Sequence, residues 1–482
     1  MKYKKTETRQ ESGGFREEQQ WTPERISAVT RNTLVILLFG VFLGLFTAAV
    51  NLYYVAAAIF GAVLVFVTAW HFEAAIALYV LVAFIPWGET PDLAVGGSGV
   101  GKGVFISEIM LGFLLVVWAG KYFLRSLPKM RISSGFYVPM ALYLAYCVLN
   151  VVNSLLFWDV HVNKMFQKPQ VNVIELGLHV LSAGALIMIA TSVSNRKWLR
   201  IITLSLIAAC SYNLFNTAIG NRIPLEAPWS SLLIVMTASY CCAVALHTRQ
   251  WNAKRIGCLA VVALSIVIVV VLGISWVSGW LAMLAALGTV VFLSNRKLFY
   301  VTAVCVSIII LVAWPFLHAN VVEQSKTEGD FDRFSLMNSA MKYATTFPLG
   351  VGLGNYRTYN SFYYGEKWGT TTYSSAHGTY SQHLAETGIP GTVLFLGILV
   401  QGFLWLKKNY HRISDSFSRA YILAAMGQMV GISAAAILGD YIIPTYHNGG
   451  LITFSTTVYS WLIWGLAVAH VRLAGTSGSE CL

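Results

Sequence analysis

Much of this chain is written in blocks of about 20 apolar residues, the length an α-helix needs to cross the hydrocarbon core of a bilayer. A backbone in hydrocarbon must satisfy its own polar groups, and a helix does so within the segment. The blocks fall at 33–50, 52–70, 72–87, 104–120, 136–157, 173–193, 199–219, 229–246, 256–273, 275–293, 298–317, 389–406, 420–438 and 450–470. That is fourteen spans, or twelve or thirteen if the crowded first three, or the pair around Gly273, merge. The chain of 482 residues is 56% hydrophobic and 11% charged, where a soluble protein carries about a quarter charged residues. These features predict an all-α, polytopic integral membrane protein.

Positive charge tests the span count independently, because Lys and Arg concentrate in cytoplasmic connections. Lys121, Arg125, Lys129 and Arg131 share one connection, and Arg196, Lys197 and Arg200 the next of the same parity. Arg249, Lys254 and Arg255 follow, then Arg296 and Lys297, then Lys407, Lys408, Arg412 and Arg419. The short connections between them hold only Lys102, Lys164, Lys168 and Arg222. Both termini are therefore expected in the cytoplasm. The net charge of +12 reads as an orientation signal; no basic groove with interleaved aromatics speaks for nucleic acid.

The predicted organisation is a cytoplasmic tail over 1–31, eleven spans over 32–317, a long extracytoplasmic loop over 318–388, three spans over 389–470, and a second cytoplasmic tail over 471–482. The first tail has mixed charge and lacks the early apolar core of a signal peptide. No cysteine lies in the long loop, so no disulfide framework or zinc spacing is proposed. Gly96 to Gly103 reads GGSGVGKG, which imitates a nucleotide loop but has Gly103 where Ser or Thr must hold magnesium. Gly350 to Gly354 reads as a flexible turn.

A loop as long and polar as 318–388 is not needed to join two helices, so a function is expected in it. From Phe331 to Phe347 the apolar residues keep helical spacing: Phe334, Leu336, Met337, Ala340, Met341, Ala344 and Phe347 share one arc, and Ser335, Asn338, Ser339, Lys342, Thr345 and Thr346 the other. Asp330 or Asp332 caps this amphipathic helix, and Pro348 with Gly350 ends it. Arg333 falls within the apolar arc. It either snorkels past the packed face or pairs with a structural carboxylate, or it is a guanidinium held for a bidentate phosphate contact. A second short helix is expected from near Ser375 to Thr387, stopped by Gly388 in the left-handed conformation. His377 sits in its first turn, where the helix dipole favours a neutral imidazole; Tyr380, Ser381 and Leu384 share its face, while His383 and Glu386 point elsewhere. Glu175 and His179, four apart in one span, either line the same cavity or satisfy each other between helices. The aromatics from Tyr356 to Tyr373 either stack on sugars or anchor the loop at the interface.

At these residues the chain resembles a family. An Asp-x-Arg before an amphipathic helix, then FPLGVGLGNY, then AHGTYSQHLAETGIPG leading into a span, is similar to the C-terminal signature of the O-antigen ligase and O-antigen polymerase superfamily. The resemblance implies a GT-C-like membrane glycosyltransferase in the bacterial inner membrane. Its donor would be an undecaprenyl-pyrophosphate-linked glycan, and its acceptor a sugar hydroxyl on a glycan or on lipid A-core. Neither metal nor ATP is implied as a cofactor. It further implies that Arg333 holds the pyrophosphate and that His377 activates or orients the acceptor; Lys342, Tyr380 and Ser381 are further candidates for substrate contact. This chain departs from the family pattern twice: Gly378 follows the His where Asn is frequent, and ISWVSGWLA, from Ile274 to Ala282, lacks the arginine frequent in that helix. Arg222 or Arg357 is the candidate to supply the missing charge. A transporter of a small anion or of the glycan lipid is the alternative from another class; ionisable residues or broken helices near the midplane in two matching halves would mark it, and mid-span charges are few and no symmetric halves are evident.

Overall fold

The structure is a computed structural model. It describes residues 59, 61–63, 65–68, 71–85, 103–124, 134–162, 169–223, 231–248, 250–273, 276–327, 333–368, 375–448 and 450–475. Residues 61–482 form one compact unit, and among the described residues it is built of helices without a strand. The helices are α1 (Phe72–Val82), α2 (Ile106–Phe123), α3 (Ser134–Leu156), α4 (Pro169–Ser192), α5 (Arg196–Ala218), α6 (Ser231–His247), α7 (Ala253–Ile266), α8 (Val277–Ser294), α9 (Arg296–Thr327), α10 (Arg333–Thr346), α11 (Tyr356–Trp368), α12 (Thr379–Glu386), α13 (Gly388–Tyr410), α14 (Ser416–Ala435) and α15 (Phe454–Gly475). A π-helical turn, Val267–Leu272, continues α7 up to Gly273.

Among the described residues nine helices are long and apolar enough to cross a membrane, and α1 and α6 are shorter apolar helices. With α14, they coincide with the expected spans from 72–87 onward. The expected spans at 33–50 and 52–70 lie wholly or mostly outside the described residues, as do the first tail and Lys102. The helix expected at 298–317 continues to Thr327 as α9, and the long interval folds into three helices where two were expected, because α11 also forms.

Helix starts follow from local chemistry. Asn195, Asn252 and Asp415 each accept a bond from a first-turn N–H, that of Trp198, Arg255 and Ser418 respectively. At the centre stands α15, packed against α4 and α14, while α14 packs on α8 and α6, and α13 on α3. Close approach of α14 to α8 depends on Gly431, where a Cβ would lie 2.5 Å from the Ala282 carbonyl. The basic helix ends gather at one end of the bundle: Lys121 lies 4.8 Å from the Phe72 ring, Arg419 5.0 Å from Tyr410, and His247 bonds Tyr410. At the opposite end, α10 to α12 and the connection 436–450 meet the ends of α3, α4, α8 and α13.

Candidate functional site

The segment Ser375–Gly378 is a turn that precedes α12, whose N-cap is Gly378. His377 therefore stands outside the helix instead of in its first turn, with φ of +48°. A non-glycine residue in that region is strained and needs its surroundings to hold it. Here the Ser375 hydroxyl accepts from the His377 N–H at 2.9 Å and donates to Asp440 Oδ2 at 2.9 Å. Thr379 anchors the next residue pair, its N–H on the Ala436 carbonyl at 2.9 Å and its hydroxyl on that of Gly439 at 3.0 Å. Gly378 allows a close approach here: a Cβ at this position would lie 2.7 Å from the Ile437 carbonyl.

Asp440 is fully buried in the connection between α14 and α15. Its Oδ2 also accepts from Asn448 Nδ2 at 2.7 Å and Thr445 Oγ1 at 3.4 Å, whereas Oδ1 has no hydrogen-bond partner. Burial pushes this carboxyl above the usual aspartate range, opposed by the Asn448 bond, by the charge of His377 and by the Ser375 and Thr445 bonds. Tyr441, the next residue, has its hydroxyl tied to Trp276 Nε1 at 3.0 Å and Ser278 Oγ at 2.8 Å. The stretch from Ile274 to Ala282 therefore meets the residue beside Asp440 with an indole and a hydroxyl.

Facing this turn is the glycine-rich segment 348–356. Gly350, Gly352 and Gly354 all have positive φ, a shape that elsewhere makes anion-binding nests of backbone N–H groups. In this chain the nest is filled from within: Val351 N–H donates to the Ala385 carbonyl, Gly352 N–H to that of Glu386, and Leu353 N–H to Asn150 Oδ1. Gly354 and Tyr356 N–H both go to the Glu386 carboxylate. Two buried asparagines, Asn150 of α3 and Asn172 of α4, clamp the segment from the membrane helices. Its backbone is thus committed to the fold, and Arg357 stands half-buried at the second position of α11.

Glu386 and Asp440 are the residues that the sequence reading missed. Glu386, read as pointing elsewhere, is 1% exposed because the glycine segment folds back over the end of α12. Burial pushes its carboxyl up to about 8 against the bonds from Gly354, Tyr356 and Gln382, with Asp440 adding repulsion. Asp440 gave one signal, a lone acid in an apolar connection between spans. Glu175 and His179 do not bond each other through side chains: Glu175 Oε1 accepts from Tyr446 N–H at 2.5 Å, and His179 Nδ1 donates to the Glu175 carbonyl at 2.7 Å. Glu175 does lie within the electrostatic reach of Glu386 and Asp440, and the His179 and His383 rings are 5.5 Å apart.

Other expected residues are dispersed. The packed face of α10 is rotated from the expected arc: Ser339, Ala340, Tyr343 and Ala344 are buried and Met341 is exposed, because Tyr343 packs on Tyr356. Lys342 is exposed on the far side of that helix. Arg333 opens α10, but its side chain lies outside the described residues. Arg222 is exposed on the turn after α5, which the bonds between Asn216 and Ile223 hold. Tyr380 donates to the Ser433 carbonyl at 2.8 Å and Ser381 to that of Gly378 at 3.2 Å, so both hydroxyls serve the turn itself. Tyr363 donates to Asp159 at 2.7 Å, and the neighbouring aromatics of α11 pack edge to face, with Phe362 and Tyr363 left exposed.

Residues 260–396 match the O-antigen ligase family. The match runs from within α7 into α13 and includes Arg357, His377 and Glu386, with Asp440 beyond it. No curated protein matches the chain. Over these residues the chain is similar to the O-antigen ligase family, in line with the resemblance to the O-antigen ligase and polymerase superfamily.

Proposed function

We propose, from the match of residues 260–396 to the O-antigen ligase family, that this chain transfers a glycan from a polyprenyl-pyrophosphate carrier, undecaprenyl pyrophosphate in a bacterium, to an acceptor sugar hydroxyl. The reaction takes place at the outer face of the inner membrane, since the site lies at the end of the bundle opposite the basic, cytoplasmic connections. The observation that carries this reading is the strained His377, joined through the Ser375 hydroxyl to a buried aspartate with one unpaired oxygen.

In the reaction His377 takes the proton of the acceptor hydroxyl while the oxygen attacks the anomeric carbon. The bond from that carbon to the pyrophosphate oxygen breaks, and its electron pair leaves with the carrier pyrophosphate. The imidazolium so formed faces Asp440, whose negative charge stabilises it. Arg357, and Arg333 from the start of α10, are the cations for the departing pyrophosphate, where charge accumulates in the transition state. Pyrophosphate is a good leaving group, so the reaction as proposed needs neither ATP nor a metal. The acceptor is a glycan, either another carrier-linked repeat or lipid A-core.

The test is glycan transfer by the full chain in membranes. His377→Ala and Arg357→Ala should each abolish product while the protein still inserts, and Arg333→Lys, which keeps charge but loses the planar fork, should retain only part of it. Normal product from the His377→Ala chain at equal expression would end the reading. Single repeats accumulating on the acceptor in the inactive strain mark a polymerase; full-length chains accumulating on the carrier mark a ligase.

A further inference from the structure

Two turns carry the proposed machinery, 375–378 with His377 and 350–356 leading into Arg357, and one buried side-chain pair connects them. Glu386 ends α12 and Gln382 lies one helical turn before it on the same face, with 1% and 2% exposure. Gln382 Oε1 accepts from the Ala376 N–H at 2.8 Å, and the Gln382 side chain bonds the Glu386 carboxylate. That carboxylate in turn accepts from the N–H groups of Gly354 and Tyr356, the latter at 3.2 Å. The run therefore starts on the backbone N–H of the residue before His377 and ends on that of the residue before Arg357.

Each end is also held to the bundle, the first by Ser375 and Thr379 and the second by Asn150 and Asn172, and the Gln382–Glu386 pair joins the two turns to each other through side chains. His377 sits in a strained conformation, and the glycine segment is bent by residues that favour no single conformation of their own. Glu386 is fixed in turn, because its carbonyl accepts from Asn150 Nδ2 at 3.2 Å and from Gly352 N–H at 2.9 Å. A hydroxyl and a pyrophosphate reacting at one carbon need base and cation at a set distance, and a misplacement of about 1 Å costs on the order of 100-fold in rate.

We propose that Gln382 and Glu386 form a positioning strut that sets the separation between His377 and Arg357. The inference rests on the transferase reading above, and its test separates the two. The full chain in lipid nanodiscs is compared as wild type, Gln382→Ala, Glu386→Gln and the double variant, by turnover of a polyprenyl-pyrophosphate-linked glycan and by amide hydrogen exchange. Gln382→Ala should lower kcat by about 30- to 100-fold with donor KM held within about threefold. Its amide exchange should rise over 375–378 and stay unchanged over 350–356. Glu386→Gln should raise exchange over both segments, since a Gln cannot accept from all three donors, and the double variant should turn over no worse than the poorer single one.

Wild-type turnover by Gln382→Ala, with His377→Ala inactive, overturns the strut and leaves the transferase reading standing. Normal turnover by His377→Ala overturns that reading, and the exchange pattern then decides the strut alone: no rise over 375–378 in either Gln382→Ala or Glu386→Gln refutes it. Should Glu386→Gln fail to insert, Gln382→Ala, which removes no charge and leaves the carboxyl in place, carries the test.

Discussion

Helices α14 and α15 meet a polar network at each end, partly buried at Asp415 and fully buried at Asp440, and the two networks are built to opposite rules. At the basic end Asp415 caps α14, accepting from Ser418 N–H at 2.9 Å and from its hydroxyl at 2.6 Å. Both ring nitrogens of His470 are then engaged, by Ser418 Oγ at 3.0 Å and Thr203 Oγ1 at 2.9 Å. At the other end Asp440 leaves Oδ1 unpaired, and His377 is held at positive φ. Burial alone would raise the Asp415 carboxyl, but the Ser418 bonds, then Arg200 and His470, outweigh it and hold it below the usual range. Asp440 is held above it. A closed network serves the fold; one with an unpaired buried acceptor and a strained neighbour gives up stability, and in this chain it does so beside the histidine proposed to take a proton.

The sharpest way to break that contrast is to remove one group from each network and measure transfer. His377→Ala should lower turnover by about 100- to 10,000-fold, the range for a lost proton acceptor. Asp440→Asn, which keeps the shape and most hydrogen bonds, should cost about 10- to 100-fold by leaving the imidazolium without its counter-charge. Thermal stability of Asp440→Asn should match or exceed wild type, because an uncompensated buried acceptor is neutralised. Equal loss of turnover in a folded Asp415→Asn chain would show that the two ends do not differ in kind.

Stability measurements should give the reverse pattern. Asp415→Ala removes an N-cap and a bond that orients Ser418 for His470, and is expected to cost about 1 kcal/mol, read as a lowered Tm in nanodiscs. Turnover at a temperature where the chain remains folded should stay within about twofold, since the cap touches nothing at the reacting end. A fall in turnover larger than the folded fraction explains would tie the basic end to the reaction.

Much of this was legible in advance, and the gaps have physical causes. The spans from 72–87 onward followed from length and hydropathy, because a bilayer imposes both. The stop at Gly388 followed from the cost of the left-handed region, and φ there is +66°. Helix α11 was hidden because its period is carried by tyrosines, Tyr356, Tyr359 and Tyr363, which also suit an interfacial loop; its buried residues Tyr356, Thr358, Tyr359 and Asn360 mix aromatic and polar types. The strain at His377 was invisible beside a glycine, the residue expected to take any unusual angle. Asp440 reveals its part only through Ser375, 65 positions away, a contact that no local pattern encodes.

Dependence on pH offers the smallest effect and the finest distinction. Glu386 is raised from the ordinary 4.5 to about 8, so its contribution to stability is fully present below 4.5 and is lost as pH rises toward 8. Asp415 is depressed, so its contribution is present above the ordinary 3.8 and is lost as pH falls through its lower folded value. The Tm of the wild-type chain should therefore fall at both extremes for different reasons. Glu386→Gln should flatten the decline on the alkaline side, partly, because Asp440 and Glu175 face the same carboxyl and continue to titrate. Asp415→Asn should flatten the acid side alone. An alkaline slope identical in wild type and Glu386→Gln would mean that this carboxyl is already ionised in the folded protein, held by its three N–H donors more strongly than burial opposes it, and the contrast would then rest on Asp440.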